Sequence, residues 1–320
     1  MRILITGASG LLGLNLALVA AGGWQADEMS PTAASGGPGH TVFGVANQPP
    51  LQTELFHYIL ADLLAPDELE RLLDLVQPDW IIHCAALAEV DACESHPDLA
   101  HKLNTELPRK LASLVARGGA RLLHVSTDAV FDGQRGNYTE QDAPHPLSVY
   151  ARTKLAGELA VAEADPGALI VRVNMYGWSM SGTRSLAEFF INNLQAGKPV
   201  KGFMDVFFSP LLVNDLGWIF LCMLESQLHG LYHVVSPVGV SKYDFGVALA
   251  RQFGLDEKLI SAVKVAEAGL TAMRSPNLTL KTDKLAKDLG SPLPTWKDGF
   301  ALFYHQYQRG YPQYLQSLRS

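Results

Sequence analysis

The sequence predicts an α/β protein: a doubly wound parallel sheet carrying a smaller α-rich carboxy-terminal lobe. Two observations predict it. Short apolar strand patterns alternate with longer helical ones through the first half of the chain, and the strands read as continuous apolar runs, as strands covered on both faces do. After about residue 175 the rhythm becomes irregular and mostly helical.

The elements follow in order. "RILIT" (2–6) is a short buried strand and "GLLGLNLALVAAG" (10–22) a helix. "GGWQADEMSPTAASGGPGH" (22–40) is rich in Gly, Pro, Ser and Ala without a period. It is far longer than an ordinary connection. Because it leads from a helix into a strand it belongs at the amino ends of the strands, so it is expected to be a surface excursion without a role in chemistry. "TVFGVAN" (41–47) is a strand, "APDELERLLDLVQ" (65–77) a proline-started helix and "WIIHCAA" (80–86) a strand. Residues 97–119 form a helix with an internal proline, 121–127 a strand, 149–164 a helix and 168–174 a strand. Later, 185–197, 244–254 and 281–290 read as helices, 230–236 as a strand and 274–280 as a proline loop. Residues 1–174 with about 212–240 are expected to form the sheet domain, and about 175–211 with 241–320 the smaller lobe.

Composition sets limits. The 320 residues are 48% hydrophobic and 18% charged, with a net charge of −7. That is a compact globular composition. Its acidity argues against nucleic acid and against anionic membranes as partners. Cys84, Cys93 and Cys222 are few, odd in number and without a CxxC, so free thiols and a cytoplasmic location are expected. No signal peptide is expected, because "MRILITG" goes straight into a strand pattern, and the apolar stretch near the start reads as too short for a comfortable membrane span.

Four stretches carry the chemistry. "TGASGLLG" (6–13) follows a strand and opens a helix, the context of a Rossmann-type dinucleotide fingerprint. Gly7 permits the tight turn, Gly10 the approach of a pyrophosphate and Gly13 close helix packing, while the helix amino end offers N–H groups to phosphate; a glycine turn without a ligand is the bland alternative. The second strand ends in Ala46, Asn47 and Gln48. No acid stands there for a ribose 2′-hydroxyl, and its absence removes repulsion against a 2′-phosphate, so of NADP and NAD the sequence leans to NADP. Asp62 follows the third strand, as an adenine contact or a helix cap.

"VSTDAVFDG" (125–133) brings Ser126 and Thr127 to the carboxyl end of a parallel strand, where a hydroxyl can donate to a ketone oxygen or simply cap a turn. "VYARTKLAG" (149–157) sets Tyr150 and Lys154 one helical turn apart on one face. A Y-x-x-x-K match is weak by itself. It gains weight by opening the helix after the strand that ends in Thr127. An ammonium beside the phenol, with an oxidised nicotinamide, would favour the phenolate and lower its pKa, making an acid-base group of Tyr150. Lys154 could also hold the nicotinamide ribose. "DACESH" (91–96) collects Asp91, Cys93, Glu94 and His96, but at a helix start where polar residues are ordinary, so no metal site is expected.

"TGASGLLG", "VSTDAVFDG", "YTEQDAPHPLSVYARTKLAGE" and "RSPNLTL" resemble the extended short-chain dehydrogenase/reductase superfamily, and within it the dTDP-4-dehydrorhamnose reductase group. The resemblance spans nearly the whole chain and is most specific from Ser126 to Glu158. It implies NAD(P)H-dependent reduction of a 4-keto-6-deoxy sugar nucleotide. It implies a Thr127–Tyr150–Lys154 catalytic set, and cofactor contacts from Gly10, Leu11, Leu12, Asp62, Leu63, Ala86, Leu87 and Ala88. Thr127 and Asp128 would touch the sugar. Arg274 in "MRSPN" could meet the substrate pyrophosphate or be a solvated loop arginine. Two departures concern the sugar pocket: Ala129 stands where the group has tyrosine, and Met175 where it has tryptophan. The alternatives are an NAD-dependent sugar-nucleotide epimerase and a non-catalytic NAD(P)-binding regulatory subunit. A 4,6-dehydratase is disfavoured because the Asp-Glu pair of such enzymes is here Asp128-Ala129. Beyond the sugar nucleotide, the one partner left open is a second copy of the chain.

Overall fold

The computed structural model describes residues 1–23, 40–49, 51–267 and 275–319. The excursion expected at 22–40 lies, for 24–39, outside the described residues, as does Arg274. Seven parallel strands form the central sheet: β1 (Arg2–Thr6), β2 (Thr41–Ala46), β3 (His57–Leu60), β4 (Trp80–His83), β5 (Arg121–Thr127), β6 (Leu169–Val173) and β7 (Gly230–Val234). Their spatial order is 7-6-5-4-1-2-3, a Rossmann-type arrangement. The strand order reverses between β1 and β4, so a crevice opens there at the carboxyl ends.

Alternate residues of each strand feed two cores. Leu4, Ile81, Leu122 and Ile170 meet α2 (Glu68–Val76), α3 (Leu107–Gly118) and α4 (Val149–Ala164) through Leu72, Leu111 and Val161. Ile3, Ile5, Ile82, Leu123 and Val171 meet the opposite layer. That layer is α1 (Leu11–Ala20), packed on α6 (Val213–Glu225). Between α4 and α6 in the chain lies α5 (Leu186–Gln195).

The rest of the chain builds three small two-stranded ladders: Met175–Tyr176 with Leu211–Leu212, Phe207–Phe208 with Val240–Ser241, and Val200–Phe203 with Ile260–Val263. Four helices accompany them: α7 (Lys242–Phe253), α8 (Asp283–Leu289), α9 (Trp296–Gln308) and α10 (Tyr311–Ser317). Tyr176, Phe245, Phe300 and Phe303 pack edge to face among them.

The predicted helix 97–119 is not uniform. Pro97–His101 is α-helical, Lys102–Glu106 widens into a π turn, and α3 resumes at Leu107 with Pro108 in its first turn. A proline lacks the N–H that an uninterrupted helix needs, and the wider turn accommodates that loss.

Candidate active site

β1 ends at Thr6 and the chain turns at Gly7 with φ +70, a left-handed conformation that a side chain rarely adopts. A Cβ at Gly13 would stand 2.2 Å from the Gly7 carbonyl oxygen, so only glycine lets α1 start this close to the strand. No side chain caps α1 at Gly10, and none of its first-turn residues is acidic. Its first N–H groups, from Leu11 onward, are therefore available to an anion. These residues fit the pyrophosphate of a dinucleotide. Leu11 is half-buried and Leu12 buried.

Asp62 is exposed and its Oδ1 accepts from Leu64 N at 3.0 Å, closing a turn; the helix that follows starts only at Glu68, so Asp62 does not cap it. Leu63 beside it is half-buried. Ala86, Leu87 and Ala88 form the loop that leaves β4 at the crevice. Asn47 and Gln48 are exposed at the end of β2.

One side chain fastens that loop to the catalytic helix. Asn104, in the π turn, accepts from Leu87 N (2.9 Å) and donates to Leu87 O (3.0 Å) and Thr153 Oγ1 (3.1 Å). Thr105 Oγ1 donates to Thr153 O at 2.9 Å. A Cβ on Gly157 would lie 2.1 Å from the Asn104 carbonyl oxygen, so α4 rests directly on the π turn. Asn104 escaped sequence reading; the signal was an amide four residues before a mid-helix proline.

Ser148 caps α4 by accepting from Ala151 N, which sets the helix start and places Tyr150 in its first turn. Thr127 ends β5, buried, and its hydroxyl accepts from Ala129 N at 3.1 Å, capping the 3-10 turn Asp128–Val130. The same hydroxyl donates to Asp128 Oδ1 at 3.2 Å and stands near enough to the Tyr150 phenol to lower its pKa. The cap geometry expected of Thr127 is present.

The electrostatics of Tyr150 and Lys154 are set by burial. Burial pushes the Tyr150 phenol up to about 12; the Thr127 hydrogen bond opposes this, and the negative Asp128 and Cys93 groups add to it. Lys154 is not among the groups acting on it. The buried ammonium turns instead to Val125 O at 2.7 Å. Desolvation pulls it down to about 8, against the pull of Glu158 and Cys84. The phenol is therefore held protonated rather than primed as a phenolate by the lysine.

Asp128 is buried, which pushes its carboxyl up to about 6; Asn174, Thr127, Lys242 and the Ala129 amide oppose this. Asn174 Nδ2 donates to Asp128 Oδ2 at 2.6 Å. Beneath the site, Ser126 Oγ donates to Glu158 Oε1 (2.5 Å), and Arg172 holds both Glu158 oxygens through Nε and Nη2 (2.7–3.2 Å). Asn174, Arg172 and Lys242 were not singled out from sequence, and each lies far along the chain from the groups it supports; Glu158 closes the motif that carries Tyr150 and Lys154, but its partners Ser126 and Arg172 are distant in sequence.

Of the DACESH residues, Cys93 donates to Leu87 O and Glu94 accepts from Val149 N. Ala129 and Met175 are half-buried, and Met175 pairs with Leu211.

Comparison with known proteins shows the family. Residues 1–309 match the family model described as "RmlD substrate binding domain". The chain is 33% identical to the "Probable low-salt glycan biosynthesis reductase Agl14" of Haloferax volcanii over 82% of its own length and 89% of that protein's. It is 33% identical to a dTDP-4-dehydrorhamnose reductase of Mycobacterium tuberculosis over 75% and 80% of the two chains. It is also 32% identical to the methionine adenosyltransferase 2 subunit beta of Rattus norvegicus, over 70% and 69%. Among solved structures, the dTDP-4-dehydrorhamnose reductase of Bacillus anthracis in complex with NADP superposes with a TM-score of 0.80 at 25% identity, covering 95% of this chain and 99% of that one.

Proposed function

From the premise that the chain belongs to the RmlD substrate binding domain family, within the extended short-chain dehydrogenase/reductases, we propose that Thr127, Tyr150 and Lys154 are its catalytic residues. The protein is an NAD(P)H-dependent reductase of a 4-keto-6-deoxy sugar nucleotide, the substrate class of its dTDP-4-dehydrorhamnose reductase relatives. One observation supports the assignment of roles: Thr127 ends β5 with its hydroxyl near enough to the Tyr150 phenol to act on it, while the buried Lys154 ammonium is held on Val125 O of the same strand.

A nicotinamide held at the carboxyl ends of the strands would supply the hydride that the carbonyl carbon receives. Gly7, Gly10, Leu11, Leu12 and Gly13 would hold the pyrophosphate. Asp62, Leu63, Ala86, Leu87, Ala88 and Lys154 would line the remainder of the cofactor. Thr127 orients the carbonyl oxygen by hydrogen bonding, and Tyr150 gives that oxygen its proton. A phenol kept protonated up to about 12 by burial is a competent donor throughout the neutral range, which suits reduction. Asp128 and Asn174 offer a polar wall to the sugar hydroxyls.

The epimerase and regulatory-subunit readings are not favoured, because dTDP-4-dehydrorhamnose reductases stand among both the similar sequences and the structures that superpose at 25% identity or more. We further propose that residues 1–174 with 212–240 bind the dinucleotide and that 175–211 with 241–320 bind the sugar nucleotide. No helix among the described residues is long and apolar enough to cross a membrane. The three free thiols support a cytoplasmic setting, and light scattering would decide between monomer and homodimer.

The test is oxidation of NADPH or NADH, followed at the nicotinamide absorbance, with a dTDP-4-keto-6-deoxy sugar. Tyr150→Phe is expected to lose about 10²–10⁴ in kcat while binding NADPH as before. Turnover retained in the Phe variant removes Tyr150 from the mechanism.

A further inference from the structure

We propose that Lys242 is the residue that reads the diphosphate of the sugar nucleotide, spanning from the buried Asp128 carboxylate to a neighbouring cavity that receives the nucleoside. This rests on the sugar-nucleotide reading above and assigns one end of that substrate to named groups.

Three observations lead there. First, a cavity of about 520 Å³ opens between α5, the Val200–Phe203 strand and the start of α7. That volume lies within the range of small-ligand sites. Phe189, Phe203 and Pro199 give it flat apolar walls, and Asn193 adds an amide. Phe189 is 46% exposed, a large aromatic surface left open to solvent. Second, the only charged groups lining the cavity among the described residues are two cations, Lys201 and Lys242. Aromatic walls joined to a pair of ammonium groups suit a ligand with a planar ring and a compact anion, which is the chemistry of a nucleoside diphosphate.

Third, Lys242 belongs to both sites. It lines the cavity, and its positive charge acts on Asp128, beside Thr127 and Asn174. The same residue therefore lines the cavity while its charge reaches the sugar-facing carboxylate. The anhydride between them is where a cation is needed.

The experiment is calorimetric titration of the full-length protein with dTDP and, separately, with thymidine, comparing wild type with Lys242→Met, Lys242→Gln and Lys242→Arg. The Met and Gln variants are expected to weaken dTDP at least tenfold and to leave thymidine within twofold. Lys242→Arg recovers most of the dTDP affinity. NADPH binding unchanged within twofold shows that the variants are folded. In turnover, KM for the keto-sugar nucleotide rises by a similar factor with kcat within about threefold. A Met or Gln variant that binds dTDP as wild type does, or a wild-type protein that binds no dTDP, overturns the proposal. These titrations need no catalysis. A protein that holds dTDP through Lys242 yet oxidises NADPH with no keto sugar would sink the reductase reading and leave this one standing.

Discussion

Replacing Glu158 with Gln tests whether the polar layer beneath the active site is as interdependent as its geometry implies. Glu158 and Arg172 are 5% and 3% exposed at the side chain and 2.7 Å apart. Arg172 also lies over the Phe131 ring at 5.0 Å and near His233 Nε2 at 3.4 Å. Removing one partner of a buried pair leaves the other charge uncompensated, at a cost of about 3–5 kcal/mol. Glutamine keeps one oxygen for Ser126 or Arg172 but turns an NH2 toward donors, so little of the loss is recovered. The Phe131 ring face retains part of the stabilisation of the guanidinium, so the low end of that range, about 3 kcal/mol, is expected.

For 320 residues the unfolding entropy is about 0.7 kcal/mol/K, so Tm should fall by roughly 4–5 °C. Urea unfolding monitored by tryptophan fluorescence measures the free energy. The double variant Glu158→Gln with Arg172→Met should be more stable than Glu158→Gln alone, since no buried charge is then stranded. A single variant that loses less than about 1 kcal/mol, or a double variant worse than the sum of the singles, would refute the argument.

The other predictions share this layer. Because burial brings Lys154 down to about 8, its charge is present below that pH and lost above it. The kcat/KM for reduction should therefore bend downward near pH 8; a profile flat through pH 9 would exclude Lys154 as its source. In Glu158→Gln the bend should move to lower pH, since the carboxylate that raises Lys154 is gone. Gly157→Ala should destabilise in spite of alanine's helix propensity. The new methyl would stand 2.1 Å from Asn104 O, and overpacking of about 1–3 kcal/mol outweighs a propensity gain of about 1. Thermal unfolding reads the sign.

Much of the fold was legible because the period of the pattern is local information. Strands β1, β4, β5 and β6 are apolar runs bounded by turns or charges, and the glycines of 7–13 announce their purpose by position. What escaped depends on long-range packing. The helix α6, "VNDLGWIFLCMLE", is buried at ten of its thirteen residues, so it shows little of the two-faced pattern that marks a surface helix. The π turn at 102–106 follows from Pro108 but could not be placed without the loop it serves. Tyr150 and Lys154 were found from their spacing. The lysine's partner was not legible, because one helical turn says that two side chains share a face and not which partner an ammonium chooses. Val125 O, on a strand packed beneath the helix, wins that choice.

The polar residues under α4 form two rows set by strand register. Thr6 on β1 pairs with His83 on β4, and His83 with His124 on β5. Two residues further along β5, Ser126 pairs with Arg172 on β6, and Arg172 with His233 on β7. Since side chains alternate, register alone brings each row to one face. The helix answers with Lys154 and Glu158, one turn apart. The first row must not compete with the ammonium, and it does not. Burial, with the charge of Lys154 itself, holds His83 down to about 3 and His124 well below its ordinary value, so both rings are neutral beneath a cation. Thr6 Oγ1, 2.8 Å from His83 Nδ1, ties that row to the turn that opens the dinucleotide loop. The second row carries the opposite charge logic: Arg172 faces Glu158 and fixes the carboxylate that in turn supports Lys154. An apolar sheet would pack α4 more cheaply. Polar rows at the carboxyl ends of five strands instead fix where α4 sits and which charges it carries, and those two quantities determine how Tyr150 meets Thr127.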